Sequence, residues 1–143
     1  MENKLIAPCG IDCFNCEMYA DNLTEAFQER LSKSTGIPAA EITCGGCTGG
    51  EYCLLLKARG MRCKTLDCAR EKGVEFCCDC AEFPCVHLMP LADSAGRVPH
   101  NIKLFNLCMI KKLGAARFAE QAGNVRHTYF NHKFVIGAGG SDS

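Results

Sequence analysis

The residues of this chain best equipped to do chemistry are its cysteines. Twelve of the thirteen lie between Cys9 and Cys85, in the clusters Cys9/Cys13/Cys16, Cys44/Cys47/Cys53, Cys63/Cys68 and Cys77/Cys78/Cys80/Cys85. Three clusters contain a Cys-x-x-Cys pair: Cys13–Cys16, Cys44–Cys47 and Cys77–Cys80. Two thiolates at that spacing bind one ion from a single tight turn, and two such turns complete the tetrahedral N/S set that zinc takes in a structural site. The pattern predicts Cys9, Cys13, Cys16, Cys44, Cys47, Cys63, Cys68, Cys77, Cys80 and Cys85 as metal ligands, with Cys53 and His87 as supplementary ones. That donor set serves two or three zinc ions. Cys78, wedged between Cys77 and Cys80, cannot readily face the same ion and reads as a spare. Cys108 stands alone on an apolar stretch and reads as an inert core thiol.

Proximity in sequence suggests Cys44/Cys47 with Cys63/Cys68 as one set, and Cys77/Cys80/Cys85 with Cys53 or His87 as another. Cys9/Cys13/Cys16 then takes a fourth ligand from elsewhere or shares with the last cluster. Iron–sulfur is the competing cofactor, because sets of four thiolates also hold clusters. The Cys9-x-x-x-Cys13-x-x-Cys16 run has the spacing of radical S-adenosylmethionine enzymes. A chain of 143 residues so poor in strand signals does not build the barrel those enzymes need. Thiol–disulfide exchange is the other redox reading.

The rest of the composition narrows the classes. Sixteen Lys and Arg balance sixteen Asp and Glu, so no basic field drives sequence-independent binding to nucleic acid. No apolar run approaches the roughly 20 residues that span a bilayer. The start of the chain lacks the apolar segment of a secretory signal, so a cytoplasmic protein is expected. In that compartment clustered cysteines read as metal ligands before disulfides. No nucleophile–base pair, converging carboxylates or P-loop is evident, and the glycines around Cys44 and Cys47 suit a metal knuckle. The leading expectation is a zinc-stabilised binding or adapter module for a protein or small ligand, seated between the Cys-rich part and the helices after Pro99. Redox and small zinc-enzyme readings stand as alternatives, and the oligomeric state stays open.

The elements that must position these thiols are short. Leu23, Phe27 and Leu31 recur at helical spacing, which predicts an amphipathic helix over 21–34, with Asn22 and Glu25 as a capping box. Further short helices are expected over 51–59, over 67–73 with Asp67 as N-cap and Gly73 as C′ residue, and over 84–92. Residues 101–113 predict a mostly buried helix with Ile102, Phe105, Met109, Ile110 and Leu113 on one face. A second helix over 115–122 is expected to stop at Gly123, and 129–136 reads as a strand or extended arm. The fold expected is small, metal-stabilised and mainly α, with irregular Cys-rich loops and at most a small β-sheet. A Cys-rich region over 1–93 would carry a helical region over 94–136 packed on it, ending in a flexible tail over 137–143.

The order and spacing of Cys9-Gly-Ile-Asp-Cys13-Phe-Asn-Cys16, Cys44-Gly-Gly-Cys47, Cys63-x4-Cys68 and Cys77-Cys-Asp-Cys80-Ala-Glu-Phe-Pro-Cys85 resemble the cysteine-rich prokaryotic family catalogued as domain of unknown function 3795. The resemblance covers nearly all of 7–88. It implies a small cytoplasmic protein, presumed to bind zinc, with no established reaction. Members of that family often carry a further cysteine where this chain has Gly60; either Cys53 takes over that role here, or one site is lost or built differently.

Overall fold

The computed structural model describes residues 5–47 and 52–140. Among them the chain is mainly helical and has no sheet. Five α-helices, α1 (Glu25–Thr35), α2 (Leu54–Lys57), α3 (Lys64–Glu71), α4 (Lys103–Leu113) and α5 (Ala115–Asn131), alternate with single 3₁₀ turns at Cys13–Asn15, Cys77–Asp79, Val86–Leu88, Pro99–Ile102 and elsewhere. The extended pairings are isolated bridges. Tyr19 pairs with Cys44, tying the first cysteine cluster to the second, and Val135 pairs with Gly139.

The first predicted helix forms, with a different start. Thr24 is the N-cap, its hydroxyl accepting from the Phe27 amide at 3.2 Å. Asn22, expected in that role, instead donates to the carbonyls of Phe14 and Cys16 at 2.7 and 2.9 Å and pins the first cysteine turn. Helix α3 starts earlier than expected, with Cys63 as N-cap. Asp67 therefore falls inside its first turn, where it receives the Tyr52 hydroxyl at 2.7 Å and pairs with Arg62 at 3.0 Å. Gly73, at φ +63°, does close the helix as its C′ residue. The helix expected over 84–92 shrinks to one 3₁₀ turn, since Cys85 is extended at φ −124° and ψ 175°. Pro90 then holds Met89 extended. Of the helix expected over 51–59, Glu51 lies outside the described residues and the helical part is Leu54–Lys57.

Helices α4 and α5 pack on each other, and α4 also packs on the turn at Cys77–Asp79. One core joins Ile6, Ala69, Phe76, Cys77, Cys78 and Leu88 from the cysteine-rich segment to Leu107, Ile110, Phe118, Ala119 and Ala122 from the helices. The buried stripe of α4 is rotated from the expected one. It runs through Asn106, Leu107 and Ile110, whereas Phe105 is 55% exposed and Cys108 is exposed. The cause is Asn106, whose amide donates to the Gly10 carbonyl at 2.8 Å and draws its side of the helix inward. Cys108, about 100° further round than Leu107, faces out and is not a core thiol. Gly10, at φ +89°, presses against this face: a Cβ there would stand 2.9 Å from the Lys103 carbonyl. Only glycine lets the Cys9 loop lie so close to α4.

Gly123 does not stop the second C-terminal helix, which continues to Asn131. A mid-helix glycine costs about 1 kcal/mol against alanine. Burial of Phe118, Ala119 and Ala122, and an ion pair made by Arg126 one turn later, outweigh it. A Cβ at Gly123 would meet nothing within 4 Å. Gly123→Ala is therefore expected to stabilise the protein by about 0.5–1 kcal/mol, read as a higher denaturation midpoint at unchanged slope. A lower midpoint would mean that this position is packed. Tyr129 is helical, so the arm expected over 129–136 begins after Asn131. Residues 135–139 make a tight turn closed by the Val135–Gly139 bridge. Of the tail over 137–143, residues 141–143 lie outside the described part.

Candidate metal centre

The cysteine turns share one local device. At several of these cysteines the amide two residues further along the chain swings back over the sulfur. The Gly46 amide donates to Cys44 Sγ at 3.4 Å, and the Glu82 amide donates to Cys80 Sγ at 3.4 Å. The amides of Ile11, Met18 and Leu55 act in the same way on Cys9, Cys16 and Cys53, each favouring the thiolate. Gly46 is needed for its turn: its φ is +86°, and a Cβ would stand 1.6 Å from Leu5 Cδ2.

Cys68, Cys77, Cys80 and Cys85 line one cavity of 260 Å³ together with His87 and Glu82. Lys72, on α3's C-terminal side, reaches its Nζ to within 3.6 Å of Cys80 Sγ and pairs with Glu82. Burial pushes the Cys77 thiol up to about 12, and the neighbouring sulfurs of Cys9, Cys85, Cys68 and Cys80 add to the shift. The first cluster folds against the second. The thiol of Cys13 lies beside that of Cys47, and its proximity, together with burial, raises Cys47 strongly. Cys9 is pushed up to about 11, chiefly by burial; Lys103 opposes the shift, and Cys47 and Cys63 add to it. On the other side Cys16, Cys44 and Cys53 neighbour one another. Burial raises Cys53, with Cys44, Cys47 and Cys16 contributing. Burial also raises Cys16, while Arg126 opposes it.

The neighbourhoods differ from the pairing suggested by sequence proximity. Cys68 joins Cys77, Cys80 and Cys85 instead of Cys44 and Cys47, because α3 carries it back over the turn at Cys77–Asp79. Cys63, at the helix start, stays near Cys9. Cys53 belongs beside Cys16 and Cys44, away from the last cluster, whereas His87 does line that cluster's cavity. Cys78 is 1% exposed in the core, in keeping with a spare. As they stand, no three His, Cys, Asp or Glu side chains among the described residues converge tightly enough to hold an ion. The sulfurs neighbour one another and carry amide donors, but they are not closed around a centre.

Three residues that position these turns escaped the cysteine pattern. Asp12, fully buried, accepts from Arg126 Nη1 at 2.7 Å and from Asn15 Nδ2 at 2.8 Å, fixing the Cys9–Cys16 run to α5. Asn106 holds Gly10 as described, and Lys103 donates to the His87 carbonyl at 3.2 Å. A charged residue inside a Cys-x-x-x-Cys loop was the signal available for Asp12. Nothing local marks its partner 114 residues away.

No helix among the described residues is long and apolar enough to cross a membrane. A family model described as "Protein of unknown function (DUF3795)" matches residues 5–90. No curated protein and no solved structure matches the chain.

Proposed function

The chain belongs to the DUF3795 family, and from that premise we propose that it is a zinc-binding protein whose four-cysteine sites are structural and whose role is to bind a partner, a protein or a small ligand. The observation that carries this reading is the repeated amide-to-sulfur contact at Cys9, Cys16, Cys44, Cys53 and Cys80. A neutral thiol is a weak acceptor and gains little from such a donor. A metal-bound thiolate gains a charge-assisted bond that fixes its orientation.

Crowding points the same way. Buried, mutually close sulfurs resist ionisation, and a divalent cation offsets both the burial and the repulsion, displacing the protons as it binds. The quartet Cys68/Cys77/Cys80/Cys85 lines one cavity and offers a set of four thiols that a bound ion would draw together, with His87 in reserve. Cys9/Cys13/Cys47/Cys63 offers a second, and Cys16/Cys44/Cys53 a set of three that lacks a fourth thiol. This supports two ions, with a third depending on a further donor. Metal binding would then supply folding free energy to a chain whose helices α1 and α2 contribute little to the core.

The amide donors suit iron–sulfur thiolates equally, so that redox reading is the second one. Elemental analysis of protein purified anaerobically without added metal separates them. The expected result is a colourless protein with two or three zinc per chain. A brown protein containing iron and acid-labile sulfide would replace zinc with a cluster, and a metal-free folded protein would sink both.

A further inference from the structure

A large cavity lies outside the Cys68–Cys85 quartet. It measures 920 Å³, within the range of about 300–1,000 Å³ usual for small-molecule sites. Its two walls differ in character. On one side Phe27 and Leu31 of α1, with Met18 and Leu55, present apolar surface. This explains why α1, amphipathic by sequence, buries none of its residues fully: its apolar face looks into the cavity. On the other side α5, the first residue of α4 and the segment before it bring Arg126, His127, Lys103 and Arg97.

These cations are not equivalent. Arg126 is committed to buried Asp12, and Lys103 is held by the His87 carbonyl beside Cys9. Arg97 is exposed at the mouth, and its side chain has no hydrogen bond or ion pair among the described residues. His127, also exposed, stands on the same wall, against the edge of His132. The one acid lining the cavity is Glu17, at the rim. A chain with no net charge thus places an uncommitted, exposed guanidinium beside an apolar space that the less exposed Cys9, Cys16 and Cys53 also line.

We infer that this groove binds an amphiphilic organic anion, its carboxylate or phosphate head at Arg97 in the mouth and its apolar body against Phe27, Leu31 and Leu55. The orientation follows from charge and exposure. Arg126 and Lys103 already have protein partners, Asp12 and the His87 carbonyl. The mouth is where an anion finds a planar, bidentate donor without displacing a protein partner. The lining offers polarisable sulfur to an alkyl or aromatic body. The inference rests on the binding-module reading for its biological sense, and it needs no particular metal.

The test titrates the full, metal-replete chain calorimetrically with octanoate and with octyl phosphate, using octanol and octyltrimethylammonium as controls. The metal content of each sample is measured in parallel. One anion is expected to bind one-to-one, about tenfold or more tighter than octanol, and the better of the two identifies the head group. Arg97→Gln is expected to weaken that anion about tenfold with metal content unchanged. Octanol binding as tightly as the anions, neither anion binding, or an unaltered affinity in Arg97→Gln would each overturn the inference. A metal-free sample that still binds the anion would remove the metal reading and leave the groove standing.

Discussion

Cys80→Ser is expected to cost the protein one bound ion per chain and well over about 3 kcal/mol of stability, since structural zinc in small peptides contributes about 10–16 kcal/mol. The substitution exchanges sulfur for oxygen in a half-buried turn. Without a metal it would disturb only the contacts from the Glu82 amide and Lys72. Cys77→Ser should behave similarly, with a further cost of about 1–3 kcal/mol for placing a hydroxyl in the core beside Phe76 and Leu88. Cys108→Ser is the control. Its thiol is exposed on α4, and the change should stay within about 0.5 kcal/mol. Thermal unfolding with and without a strong chelator checks this directly. The chelator should lower the parent protein below untreated Cys80→Ser, since it strips every site, and should lower the variant by less, because one of its ions is already gone. Equal and mild effects at positions 77, 80 and 108, with unchanged metal content, would mean that the quartet binds nothing.

Sequence made the cysteine-rich architecture legible because the cysteine turns are local. Spacing, glycines and the turn amides that meet each sulfur lie within a few residues of one another, as at Cys44-Gly-Gly-Cys47. The helical character of 103–122 was legible for the same reason. What sequence hid were relations set by distant contacts. Cys108 was placed in the core by the apolar run around it, but Asn106 binding Gly10 rotates the helix and turns Cys108 outward. Gly123 signalled a stop that burial of Phe118 and Ala122 overrides. The grouping of sulfurs was misread at Cys68, since proximity along the chain carries no information about where α3 folds back. The groove was legible only as an expectation of its place, between the cysteine turns and the helices after Pro99. Its charge depends on Arg97 and on which of its neighbours are already paired.

The buried ion pair between Asp12 and Arg126 is where the two ends of the chain depend on each other, and Asp12→Ala is expected to cost about 3–5 kcal/mol. Asp12 is fully buried and the Arg126 side chain is 18% exposed, so water replaces only part of the lost contact. Removal of the carboxylate leaves a guanidinium whose remaining described contact is the Phe130 ring, 5.9 Å from its centre. It also leaves Asn15 Nδ2 without the acceptor that holds the 3₁₀ turn carrying Cys13. The loss should therefore reach the metal sites, lowering zinc affinity for the sets that include Cys9, Cys13 and Cys16 while sparing the Cys68–Cys85 quartet. Much of the penalty comes from an unpaired buried charge, not from the attraction itself. The double change Asp12→Ala with Arg126→Met should accordingly recover a large part of the stability lost in Asp12→Ala alone. Denaturant unfolding of the two singles and the double closes the cycle. A single-variant cost below about 1 kcal/mol, or a double variant no better than Asp12→Ala, would show that the Cys9–Cys16 loop is held to α5 by something other than this pair.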